Sequence, residues 1–112
     1  MKKKNYSETI NLAFKEHINV AKETLKIIGK KLDKSSDIIS KSLKSGGTIF
    51  WCGNGGSAAD SQHIAAEFVG RFKNNREPLK SIALTTDSSI LTCISNDYSF
   101  EEVFSRQLNA LG

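Results

Sequence analysis

The sequence predicts an α/β protein built on a parallel sheet. An unbroken apolar run, Thr48-Ile49-Phe50-Trp51-Cys52, enters a glycine-rich turn, and a helix-like run, Ser61 to Val69, follows it. Strand, glycine turn and helix in that order open a βαβ unit. A second run, Ser81-Ile82-Ala83-Leu84-Thr85, comes after the helix and again lacks polar alternation at its centre. Runs of this kind fit central strands buried on both faces. Helical periodicity on either side of both runs completes the alternation that parallel sheets require.

The elements follow in order. From Tyr6 to Leu32 the apolar residues Ile10, Phe14, Ile18, Ala21, Leu25 and Ile28 recur every three or four positions. That spacing gives one long amphipathic helix, weakened near its end by Gly29. Asp33 to Asp37 reads as a break and a new cap, and a second helix is expected over Ser36 to Ser45, stopped by Gly46-Gly47. The first strand spans Thr48 to Cys52 and the helix after the turn runs to about Phe72. Lys73 to Pro78 is a polar loop closed by the only proline. After the second strand, Thr86 to Ser89 is a turn and cap, Ile90 to Ser95 a short helix, and Asn96-Asp97-Tyr98-Ser99 another turn. Phe100 to Leu111 is a last amphipathic helix with Val103, Phe104, Leu108 and Leu111 on one side. Two strands are fewer than a doubly wound sheet needs, so the chain reads as the first part of a larger α/β domain. Residues 1–47 form its helical segment and residues 48–112 the beginning of the sheet.

Composition narrows the function classes. The chain has 112 residues, 38% of them hydrophobic, and no apolar run approaching the roughly 20 residues that span a bilayer. Met1-Lys2-Lys3-Lys4 starts like a signal peptide, but Asn5-Tyr6-Ser7-Glu8 supplies no apolar core, so a cytoplasmic protein is expected. Two cysteines, Cys52 and Cys93, do not make a disulfide framework and are expected to be buried free thiols. The net charge of +4 comes from lysines interleaved with Glu16, Glu23 and Asp33. No aromatic residues interleave with them as a base-stacking platform would need, so a solvated helix face is favoured over a nucleic-acid partner.

Chemistry concentrates at the turn. Gly53, Gly55 and Gly56 remove the Cβ atoms that would bar a phosphate from the backbone. Ser57 can cap the helix, with Asp60 three residues on as in a capping box. The pattern is neither a dinucleotide fingerprint nor a P-loop, and a tight turn without ligand is the plain alternative. On the same helix His63 and Glu67 are one turn apart on one face. Such a pair can ligate a metal or move a proton, although spacing alone favours a surface pair or a half-buried His satisfied locally. His17 has no motif around it and reads as surface or interface. Asp87, Asn96 and Asp97 lie in turns beyond the strand ends, where α/β sheets bind ligands and where Asp and Asn also serve as plain turn residues.

Taken together, these segments resemble the phosphoheptose isomerases, a branch of the sugar isomerase (SIS) domain family. The likeness rests on Cys52 to Asp60, Gln62-His63, Glu67, Gly70-Arg71, Ile82 to Asp87, Asn96-Asp97 and Phe104 to Gln107. The resemblance implies a flavodoxin-like parallel-sheet sandwich. It also implies isomerisation of sedoheptulose 7-phosphate to D-glycero-D-manno-heptose 7-phosphate, for lipopolysaccharide or capsule heptose. It implies a cytoplasmic homotetramer that holds Zn2+ and shares its active sites between subunits, with no nucleic-acid or membrane partner. By match, Asn54, Gly55, Gly56 and Ser57 line the substrate site, together with Asn96 and Asp97. His63 and Glu67 match two zinc ligands, and Glu67 also matches the proton-transferring base.

The sequence departs from the pattern in places. Ser95 and Ser99 stand where relatives usually carry glycine. The family's serine-rich phosphate loop and its remaining Gln and His zinc ligands are expected beyond Gly112. The chain is therefore read as a truncated isomerase that does not turn over substrate by itself. Two other readings are a non-catalytic phosphosugar-binding SIS module and the SIS relative that associates with the bacterial replication initiator. That relative lacks the carboxylate at the position of Glu67 and differs at the position of Gly56, so both residues favour the isomerase.

Overall fold

The structure, a computed structural model, describes residues 6–112. The lysine-rich start, Met1 to Lys4, lies outside them. The chain divides into two compact units, Met1–Ile38 and Ile39–Gly112.

The described part of the first unit is helical. Helix α1 spans Tyr6–Lys44 without interruption, which corrects the expected break at Asp33 to Asp37. Ser and Asp lower helix propensity by only about half a kcal/mol each relative to Ala, and no Pro or Gly stops the chain there. Ser35 spends its hydroxyl inside the helix, donating to the Lys31 carbonyl at 3.0 Å, so it caps nothing. The apolar stripe of Ile10, Phe14, Ile18 and Leu25 is exposed, and so is His17. On the solvated side Lys26 pairs with Glu23 at 2.7 Å.

The second unit begins with the end of α1. Gly46 adopts φ 86°, its N–H reaches the Leu43 carbonyl at 3.1 Å, and the Gly47 N–H reaches Ser42 at 2.9 Å. This double return is a Schellman stop, and glycine supplies the left-handed residue it needs. Lys80 Nζ donates to the Gly46 carbonyl at 2.9 Å and so ties the helix end to the start of the second strand.

Strand β1 spans Ile49–Trp51 and β2 spans Ser81–Ala83. They pair in parallel, with Ile49 opposite Ser81 and Trp51 opposite Ala83. Helix α2, Gly56–Val69, makes the crossover that parallel pairing demands and packs on both strands. Trp51 anchors that packing. Its ring lies 5.7 Å from Phe68, and its indole N–H donates to Ser81 Oγ at 2.9 Å. Burial on both strand faces is not found. The β1 residues are half-buried, and in β2 Ser81 and Ala83 are buried while Ile82 is 42% exposed. Strand side chains alternate between faces, so α2 covers one face and the other stays open within this unit.

Helix α3 spans Ser88–Asp97, one 3-10 turn covers Phe100–Glu102, and α4 spans Val103–Leu111. Asp87 caps α3 by accepting from the Ile90 N–H at 2.9 Å, the capping role its residue type favours. Asn96 and Asp97 therefore belong to the last turn of α3 and not to a free turn. The small core is Ala65, Ala83, Leu84, Ile94 and Val103. Gln107 is buried among them, and its amide donates to the Leu84 carbonyl at 3.0 Å and the Val103 carbonyl at 2.8 Å. The bond to Leu84 holds α4 against the end of β2, while the bond to Val103 stays within α4.

Candidate active site

Both strands end at the same edge, and the glycine loop leaves β1 there. Gly55 turns the chain with φ 57° and ψ −122°, and α2 starts at the next residue. Ser57 is thus already inside the helix. Its N–H donates to the Asn54 carbonyl at 3.0 Å, and Gly55 at the N-cap makes no side-chain bond. The expected Ser57–Asp60 capping box does not form, because the glycine turn opens the helix two residues earlier than a serine cap would. Ser57 keeps an exposed hydroxyl as a result.

Gly53 has a different task. A Cβ there would sit 2.6 Å from Ser57 Cβ and 2.7 Å from the Ser57 carbonyl oxygen. The first turn of α2 lies against this residue, and only glycine admits the approach. A small cavity of about 130 Å³ opens above. Gly53, Asn54, Gly55 and Ala58 line it from the loop and helix, Thr85 from the end of β2, and Phe100 and Phe104 close it from the side. The placement at the carboxyl edge of parallel strands and at a helix N-terminus suits an anionic ligand. Thr85, Phe100 and Phe104 were not legible as site residues, since their convergence depends on how α3 and α4 fold back.

His63 and Glu67 lie further along α2. Helical rise separates His63 from Gly56 by roughly 10 Å. His63 Nε2 and Glu67 Oε1 are 3.5 Å apart, with His63 76% exposed and Glu67 31%. Two ligands at about 2.0–2.1 Å from a tetrahedral zinc ion lie roughly 3.4 Å from each other, so the pair fits two corners of such a site. Among the described residues no third His, Cys, Asp or Glu joins them.

Asn96 and Asp97 do not line the cavity. They sit at the exposed end of α3, where Asn96 Nδ2 donates to Asp97 Oδ1 at 2.8 Å. This bond, and a second from the Cys93 thiol at 3.4 Å, hold the Asp97 carboxyl below its ordinary range. The same thiol bond and the Asp97 charge push Cys93 up. Cys52 and Cys93 are both exposed, which corrects the expectation of buried thiols. Cys93 falls on the outer side of α3, and Cys52 is the first residue past the strand.

The layout is that of an α/β domain with a glycine loop at the carboxyl edge of a parallel sheet and a His–Glu pair on the following helix. The SIS domain family model matches residues 14–111. The chain belongs to the SIS domain family. It is 53% identical over 106 residues to the phosphoheptose isomerase of Campylobacter jejuni serotype O:6, covering 92% of this chain and 56% of that relative. The phosphoheptose isomerase of Aquifex aeolicus is 49% identical over 104 residues, covering 93% and 54%. Among solved structures, phosphoheptose isomerase GmhA from Neisseria gonorrhoeae superposes with a TM-score of 0.87 at 42% identity, over 96% of this chain and 55% of that one. A phosphoheptose isomerase from Francisella tularensis gives 0.89 at 31% identity, over 97% and 57%. The chain thus spans about half the length of the relatives it matches.

Proposed function

We propose that this chain is the N-terminal part of a phosphoheptose isomerase, which interconverts sedoheptulose 7-phosphate and D-glycero-D-manno-heptose 7-phosphate in the cytoplasm for surface-polysaccharide heptose. The observation that carries this reading is the layout of α2. An open glycine loop stands at its N-terminus and a His–Glu pair at ligand spacing lies two turns on, in a chain about half identical to enzymes of that name. Residues 1–47 serve as the helical segment and residues 48–112 as the start of the α/β domain.

The chemistry assigns roles by residue type. Asn54, Gly55, Gly56 and Ser57 offer an amide, backbone N–H groups and a hydroxyl to the sugar phosphate at the helix N-terminus. Asn96 and Asp97, which lie outside the loop cavity, are assigned to the substrate by the family match alone. Glu67 takes the proton from C1 of the ketose and returns it to C2, while the hydroxyl proton passes from O1 to O2, so the exchange is atom-balanced. Zinc, when bound, supplies a Lewis acid that stabilises charge on the enediol oxygens. One Glu67 oxygen and His63 Nε2 would hold it with two further ligands, leaving the second carboxylate oxygen for the proton. The family resemblance further implies a homotetramer whose subunits share each site.

The test is turnover of sedoheptulose 7-phosphate by the native protein, followed by NMR of the C1 and C2 positions. Glu67→Gln should lower kcat by about 10²–10⁴-fold, the usual contribution of a general base. Phosphosugar binding without turnover by the wild type would point instead to the non-catalytic module.

A further inference from the structure

Helix α2 ends under an electrostatic handicap. Its last turn carries Glu67 and no basic residue, so a carboxylate sits near the negative end of the helix dipole. The carbonyls of that turn also have no partner further along the helix. Arg76, nine residues beyond Glu67, supplies what is missing. Its Nη2 donates to the Glu67 carbonyl at 2.7 Å, and its Nη1 donates to the Phe68 carbonyl at 2.8 Å. Nη1 also reaches the Glu77 carbonyl at 2.9 Å, which fixes the guanidinium to its own loop. The Leu79 N–H adds a bond to the Phe68 carbonyl at 3.1 Å, and the Gly70 N–H takes the Ala66 carbonyl at 2.8 Å. Every carbonyl from Ala66 to Phe68 is therefore engaged, two of them by one side chain.

We propose that Arg76 is a positioning residue for Glu67, gripping its backbone carbonyl and that of Phe68 so that the carboxylate keeps its place opposite His63. This rests on the isomerase reading of Glu67. A planar fork spans two successive carbonyls with little loss of freedom, which a lysine ammonium does not. Without the clamp the last turn frays, Glu67 gains backbone freedom, and the 3.5 Å separation from His63 Nε2 is no longer held. Proton transfer is sensitive to displacements of that size. Substrate binding at the glycine loop, at the other end of α2, is left alone.

The experiment compares the native full-length protein with Arg76→Ala and Arg76→Lys, by amide hydrogen exchange and by steady-state kinetics well below each midpoint of unfolding. R76A is expected to speed exchange at Val69, Gly70 and Leu79 at least about tenfold and to lower kcat about 10–100-fold, with KM within about twofold. R76K, which keeps the charge without the fork, should fold and show a smaller change in the same direction, and it carries the test if R76A does not fold. Faster exchange with an unchanged kcat makes Arg76 a helix cap only and overturns the proposal. Unchanged exchange overturns it as well. A wild-type protein with no isomerase activity overturns the isomerase reading and this inference with it, whereas an active wild type with normal R76A kinetics overturns this inference alone.

Discussion

Alanine at Gly53 should damage this fold far more than alanine at Gly56, three residues on in the same loop. The added Cβ would lie 2.7 Å from the Ser57 carbonyl oxygen, where ordinary contact begins at 3.4 Å. The deficit of about 0.7 Å falls on backbone in the first turn of α2, which cannot swing aside as a side chain would. Overpacking of this kind costs about 1–3 kcal/mol, offset by up to about 1 kcal/mol from the stiffer unfolded chain. A net loss of about 2 kcal/mol is expected, or a midpoint lowered by roughly 8–16 °C for a unit of this size. Gly55→Ala meets no atom within 4 Å but must hold φ 57° with ψ −122°, outside the left-handed helical well and reached almost only by glycine, so about 2–3 kcal/mol is expected there. Gly56→Ala has open space and helical geometry, and should be neutral or stabilising by up to about 1 kcal/mol. Urea unfolding of the three variants, followed by circular dichroism and by the fluorescence of the single Trp51 at the base of the loop, reads this order. Gly53→Ala as stable as Gly56→Ala would refute the reasoning, because it would mean that α2 does not press on the loop.

Four further outcomes are expected. Gly29→Ala should stabilise the chain by about 0.5–1 kcal/mol in thermal melts, since its Cβ would find only Leu25 Cδ1 at an ordinary 3.7 Å inside a continuous helix. Gln107→Leu leaves the Leu84 carbonyl without its amide donor and should cost about 1–3 kcal/mol in urea titration. Asp87→Ala removes the cap bond to Ile90 and should cost about 1 kcal/mol, with faster amide exchange at the start of α3. The last outcome concerns pH. Asp97 favours the neutral Cys93 thiol over the thiolate, so in a Cys52→Ser background the alkylation rate at fixed alkaline pH should rise when Asp97 becomes Asn. Its pH midpoint should move downward, and an unmoved midpoint would show that the thiol does not feel the carboxylate.

The elements most legible in the sequence are those set by local rules. The long apolar period of α1, the strand–glycine–helix order around Gly53 and the one-turn spacing of His63 and Glu67 all follow from side chains a few residues apart. The parallel pairing of Ile49–Trp51 with Ser81–Ala83 was also expected, since a helix of fourteen residues between two strands leaves little other choice. Local rules misled where two of them competed. Asp33 to Asp37 has cap residues and equally tolerable helix residues, and continuity won. Ser57 followed by Asp60 satisfies a capping pattern, but Gly55 turns the chain first.

The sequence by itself determined the order of strands and helices, where the glycine loop falls, and that a His–Glu pair shares a face of the next helix. These depend on backbone propensity and on spacings within one or two turns. Only the tertiary structure decided that Gly53 is glycine because α2 presses on it, that Phe100 and Phe104 close the cavity, and that both cysteines face outward. It alone showed that Arg76 grips the turn bearing Glu67 and that Gln107 is buried for the sake of the Leu84 carbonyl. The hydrogen bonds of Arg76 and Gln107 join residues 8 to 23 positions apart, and nothing in the local pattern of a chain records which distant group will arrive.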